Sequence, residues 1–263
     1  MEILKSFLLQ ILLTIGVIVI FGYTIALIRR AFCRITGRAG SKILLATGIV
    51  GTPIHELSHA VMCIIFGHKI KQIKLYQPNS TDGALGYVTH SYNKRNVYHL
   101  IGNFFIGIAP IICGNGVILL LMRLIIPDIS SDIWISLEAV SESDVSSYFV
   151  FIIEFLKTLF DPLNFDNALF WVFIVLAIMI SSHMELSGAD IKNGASGFAV
   201  IAAILLTVDV LFFFISPDAL ISLNLASLSL SLAISGFLTV SVIFLLIMLI
   251  IALIIKGISE IFK

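Results

Sequence analysis

Charge is what this chain lacks most. Only 12% of its 263 residues are Asp, Glu, Lys or Arg, about half the share of an average soluble domain. That deficit excludes a surface that faces water all round. The net charge is zero, so no bulk attraction draws the chain to nucleic acid. Cysteine is scarce: Cys33, Cys63 and Cys113 have no CxxC spacing and cannot all pair with one another. They read as reduced thiols packed like small hydrophobes. Hydrophobic residues make up 59% of the chain and gather in runs near the 20 residues that a bilayer-crossing helix needs.

The expected fold is an all-α polytopic membrane protein with about six apolar transmembrane or re-entrant helices and one small β-hairpin. It would form a single integral membrane domain over residues 1–263. The apolar segments lie at about 7–28, 43–66, 100–122, 165–183, 195–216 and 233–255. The first is too long for the core of a signal peptide and has no cleavage site behind it, so it reads as a retained span. In the second, Thr52-Pro53 resembles an N-cap with proline at the first helical position. A helix from Pro53 to Phe66 would fall short of the hydrocarbon core, which makes this segment either a kinked span or a re-entrant half-span. Residues 67–99 form a basic loop in which Ile70–Tyr76 and Leu85–Tyr92 read as strands around a turn at residues 78–83. Residues 128–166 form an acidic loop, eight acids against Lys157 alone. The Leu/Ser alternation at 225–232 has no assignment, and no long-period repeat is visible.

The chemistry sits in the second apolar segment, at His55-Glu56-Leu57-Ser58-His59. Histidines at i and i+4 share a helix face and can reach one tetrahedral zinc. Glu56 beside them can act as general base on a zinc-bound water. From the composition of this chain the motif is expected by chance only roughly 0.004 times. Ionisable residues inside a membrane segment are costly and commonly functional. The competing reading is an interfacial polar cluster without metal. The motif points to Zn2+ as cofactor, and the composition to the lipid bilayer as partner and to no nucleic acid.

A catalytic zinc site needs a third protein ligand. Asp190 stands seven residues beyond His183, on the same face if the helix continues through both. His183 is the alternative ligand, or a residue that orients the carboxylate. Asp166 is a weaker candidate, since the charge pattern puts it on the opposite side. Asn103 and Asn115 are candidate substrate-binding residues, set against a plain role in bridging helices. Asp209 in the fifth span could relay protons or pair with another helix. His68, His90 and His99 read as solvated loop residues.

His55-Glu56-Leu57-Ser58-His59-Ala60, then Phe66-Gly67-His68, then a hairpin, resembles the site-2 protease family of intramembrane zinc metalloproteases over roughly residues 43–194. The resemblance implies peptide-bond cleavage within or near the membrane, with a membrane-protein or membrane-associated peptide as substrate. It also implies two zinc ligands and the base from the helix bearing the motif, a third ligand from an Asp at a later helix, and a hairpin that holds substrate extended. The Leu-Asp-Gly triplet of that family is replaced here by Leu186-Ser187-Gly188-Ala189-Asp190, which marks a divergent member. Two other classes remain open, a non-catalytic metal-binding scaffold or regulator and a metal transporter.

Lys and Arg mark cytoplasmic loops. Residues 67–99 should therefore be cytoplasmic and 128–166 outside, which puts 67–99 and 183–194 on one face. The expectation is an integral protein of a prokaryotic plasma (inner) membrane with its site toward the cytoplasm. The basic residues at 29–42 fit that rule only if 43–66 is re-entrant, whereas the family resemblance favours a span.

Overall fold

The computed structural model describes residues 2–80, 83–142 and 145–261. Thr81 and Asp82 of the expected turn and Asp144 of the acidic stretch lie outside the described residues. The chain is an α-helical membrane protein with one two-stranded sheet. Among the described residues, five helices are long and apolar enough to cross a bilayer: α1 (Glu2–Thr36), α2 (Arg38–Ile65), α3 (Val97–Ile125), α7 (Gly188–Ile215) and α8 (Pro217–Ile261). Helix α6 (Ala168–Ser181) is apolar but only 14 residues long, about 21 Å. Between α2 and α3 lie β1 (Lys69–Lys74) and β2 (Tyr87–Ser91), paired antiparallel with an irregularity between Ile70 and Gln72.

Helix α2 runs unbroken through Pro53. At 28 residues it measures about 42 Å, enough for a full span. The half-span starting at Pro53 does not form, and Thr52 is not its cap. Proline removes one backbone donor, but the neighbouring small residues let another element close over the site. A Cβ on Gly51 would lie 2.3 Å from the Met179 carbonyl oxygen and 2.6 Å from Cδ2 of His183. Residues 29–42 are not a linker either. Arg29, Arg30 and Arg34 belong to α1, and the turn into α2 is made at Gly37, whose φ of +55° suits a residue without Cβ.

The acidic stretch is not a loop. It folds as α4 (Pro127–Glu142), α5 (Val145–Leu159) and a short 3-10 turn at Pro162–Asp166. Phe151, Phe155 and Leu159, at i, i+4 and i+8, present one apolar face. That face enters the main core beside Ile118 and Met122 of α3, Phe173 of α6 and Phe244 of α8. Residues 225–232 are part of α8. Their hydroxyls turn back on the helix, as from Ser227 to the Leu223 carbonyl at 2.9 Å and from Ser229 to Leu225 at 3.3 Å. Serine satisfied in this way is tolerated in an apolar helix.

Helices α3 and α7 approach backbone to backbone. A Cβ on Gly197 would meet the Phe104 nitrogen at 2.4 Å, and one on Gly107 would meet the Asp190 carbonyl oxygen at 2.7 Å. Small residues at such a crossing replace side-chain packing with close van der Waals contact. This contact brings the start of α7 against the middle of α3 and, through it, against α2.

Candidate functional site

His55 and His59 lie one turn apart on α2, and each ring is fixed by a backbone carbonyl. His55 Nδ1 donates to the His183 carbonyl at 2.7 Å, and His59 Nδ1 to the Ile106 carbonyl at 2.8 Å. Carbonyls only accept, so the network assigns the ring proton to Nδ1 in both histidines and leaves a lone pair on each Nε2. Those two Nε2 atoms face each other at 3.2 Å. Asp190 Oδ1 lies 3.3 Å from His59 Nε2. Three acceptors thus converge, and one potential metal-ligand atom from each residue falls within 4.8 Å of the others. A cation between them removes the conflict.

The spacing suits that cation. Ligand bonds of about 2.0–2.1 Å in a tetrahedron separate neighbouring donor atoms by about 3.3 Å. Two imidazole nitrogens and one carboxylate oxygen leave the fourth position open. The group can therefore hold a metal ion, with the carbonyls of His183 and Ile106 orienting the two rings from behind.

Asp190 reaches this point through the cap of α7. Ser187 Oγ accepts from the Asp190 amide at 3.1 Å, and Asp190 Oδ2 accepts from the Ser187 amide at 2.8 Å. One carboxylate oxygen holds the cap while the other faces His59. The expected continuous helix through His183 and Asp190 does not exist. Helix α6 stops at Ser181, and α7 starts at Gly188. His183 enters differently from the alternative ligand role. Its ring lies between Thr47 Oγ1 at 3.0 Å from Nε2 and Thr52 Oγ1 at 3.4 Å from Nδ1, while its carbonyl anchors His55. The His183 ring is thus outside the group formed by His55, His59 and Asp190, which it touches through its backbone carbonyl.

Glu56 is buried and lines a cavity of about 320 Å³ with Thr52, His55, His183 and Ser187. Residues 83–86 of the hairpin form another wall. A Cβ on Gly86 would sit 2.8 Å from Glu56 Cγ, so the approach to β2 passes directly over this carboxylate. Arg29 and Glu185 pair at the same cavity and tie α1 to the segment between α6 and α7. That irregular segment, at the foot of a short apolar helix, fits the rule that non-helical backbone among membrane helices lies against protein or a cavity.

Other sequence candidates go elsewhere. Asn103 Nδ2 donates to Ser196 Oγ at 2.9 Å and joins α3 to α7. Asn115 donates to Ser241 Oγ at 3.2 Å and accepts from the Ser241 amide at 3.3 Å, joining α3 to α8. Neither lines the cavity beside Glu56. Asp166 lies in the 3-10 turn before α6, at the opposite end of that helix from His183. Asp209 takes a hydrogen bond from Gln10 Nε2 of α1 at 3.0 Å. His68 is not solvated as expected: it is buried and stacks on Tyr92 with ring centroids 4.9 Å apart. Burial lowers the pKa of His68 and of His90, with neighbouring imidazoles adding to the effect.

Thr47, Thr52, Ser187 and the Ile106 carbonyl escaped the sequence reading. The string Ser187-x-x-Asp190 is a capping pattern that announces a helix start, and it could have placed the break before α7. In comparisons with known proteins, no family model, curated protein or solved structure matches the chain.

Proposed function

We propose that this protein is a zinc-dependent endopeptidase of the site-2 protease type that hydrolyses peptide bonds of membrane-embedded substrates. The observation that carries the reading is the convergence of His55, His59 and Asp190, whose ligand atoms all lie within 4.8 Å of one another, beside the buried carboxylate of Glu56. Zn2+ would be held by these three residues, where it supplies a Lewis acid that acidifies water and polarises a peptide carbonyl. Glu56 takes one proton from the attacking water and delivers it to the leaving nitrogen as the C–N bond breaks. The His183 and Ile106 carbonyls keep both imidazoles in the ligating tautomer. A substrate helix has its amides bonded internally and must unwind to be cut. The backbone of residues 83–86, which runs past Glu56, is the surface along which an extended segment would lie.

The site is proposed to open toward the cytoplasmic face. Support comes from the basic excess in residues 67–99 and from the shared cavity of residues 83–86 with His183 and Ser187. The activity test is cleavage of a panel of membrane proteins by the purified, zinc-loaded protein. Cleavage should stop with a zinc chelator and return on adding zinc. Zinc retained without cleavage of any substrate would favour a metal-binding regulator instead.

A further inference from the structure

A second group of metal-ligating side chains lies one turn further along α2. Cys63 follows His59 by four residues, so His55, His59 and Cys63 stand at i, i+4 and i+8 on one face. Cys63 is fully buried. The chain leaves the helix through Gly67 and doubles back, and the His68 amide donates to the Cys63 carbonyl at 2.8 Å. His90 arrives from β2, and its Nδ1 lies 3.0 Å from His68 Nδ1. His68 Nε2 donates to the His99 carbonyl at 2.9 Å, which leaves the lone pair of His68 on Nδ1, facing His90. The Cys63 sulfur and one ring nitrogen of each histidine lie within 4.8 Å of one another. His99 is turned away, its Nδ1 accepting from the Asn93 amide at 3.2 Å.

We propose that Cys63, His68 and His90 form a second metal site, separate from the His55, His59 and Asp190 group, which binds Zn2+ and clips the β-hairpin to the end of α2. One thiolate and two imidazoles suit zinc and disfavour magnesium or calcium, which take oxygen ligands. The Cys63 thiol releases its proton to water when the ion binds. The three ligands come from the last turns of α2, the turn after it, and β2. One ion therefore fixes the hairpin that lays Gly86 against Glu56. The site does not depend on the first group being hydrolytic.

Cobalt(II) tests this, because thiolate ligation produces an intense near-ultraviolet charge-transfer band that nitrogen and oxygen ligands do not. Purified full-length protein in detergent, stripped and reloaded with cobalt, should bind two equivalents and show the band. A Cys33→Ser/Cys113→Ser protein should keep the band, and Cys63→Ser should lose it together with one equivalent. His55→Ala/His59→Ala should keep the band and lose the other equivalent. No band in cobalt-saturated wild type, or a band surviving in Cys63→Ser, overturns the proposal. The wild-type spectrum decides even if a variant fails to fold. An intact band in a protein without hydrolysis would leave this site standing while the endopeptidase reading fell.

Discussion

The buried polar clusters around Asp209 and around His59 are built on different principles. Around Asp209 donors meet acceptors, although Asp209 Oδ2 and Gln10 Oε1 are left without partners. Gln10 Nε2 reaches Asp209 Oδ1 at 3.0 Å and Asn224 Oδ1 at 2.8 Å, and Ser6 Oγ donates to Asn224 at 2.7 Å. The cluster joins α1, α7 and α8 through its own hydrogen bonds, as polar residues commonly do between membrane helices. Around His59 acceptor faces acceptor, because both Nδ1 protons are committed to carbonyls. A polar residue in a span is therefore weak evidence of chemistry by itself. The telling feature is three ligand atoms, from His55, His59 and Asp190, held within reach of one ion.

The comparison breaks first at Asp190. Replacing it with Ala should lower zinc content and cleavage together, with activity falling at least about 100-fold. Zinc content measured on the purified variant checks this, and unchanged zinc would remove Asp190 from the ligand set. His183→Ala should act less, about tenfold or under, because the carbonyl that anchors His55 remains when the ring is gone. If His183→Ala loses zinc while Asp190→Ala keeps it, the two roles must be exchanged.

Gly51→Ala probes the packing that brings His183 to α2. Its new Cβ would overlap the Met179 carbonyl, which should cost about 1–3 kcal/mol in stability. Thermal unfolding in detergent would show this as a lower midpoint, and an unchanged midpoint would mean that α6 can move away freely. The smallest effect belongs to the cluster around Asp209. Asp209→Asn keeps the acceptor for Gln10, and hydrogen bonds between membrane helices average only about 0.6 kcal/mol. Cleavage should stay within about threefold of wild type. A loss as large as that of Asp190→Ala would mean that the Asp209 charge takes part in the chemistry.

Sidedness sharpens the same picture. Single cysteines at Ser80 and Asn193, in a cysteine-free background, should both resist an impermeant thiol reagent in intact cells and react once the membrane is opened. Labelling of only one would separate the hairpin from the start of α7 and dismantle the shared cavity.

Much of this architecture was legible in the sequence because hydrophobic run length reports directly on membrane spans. The segment at 100–122 lies inside α3, that at 195–216 runs one residue past the end of α7, β2 lies within the range assigned to it and β1 starts one residue before its own. The misreadings have physical causes. Pro53 reads as a helix start, but α2 continues through it, with Gly51 just before it packed against the Met179 carbonyl. Acidic residues at 128–166 suggested a loop, although Phe151, Phe155 and Leu159 keep helical spacing. In the site, the pairing of His55 with His59 follows from i, i+4 spacing alone. The third member depends on the glycine contact between α3 and α7, which no local pattern encodes. The His183 and Ile106 carbonyls are invisible for a stronger reason, since any residue type supplies one.

The central claim is that Glu56 is the base beside a zinc held by others. Wild-type and Glu56→Gln proteins, purified and zinc-loaded side by side, should carry equal zinc. Their cleavage of one membrane-protein substrate should differ at least about 100-fold. Equal zinc with equal cleavage would contradict the account.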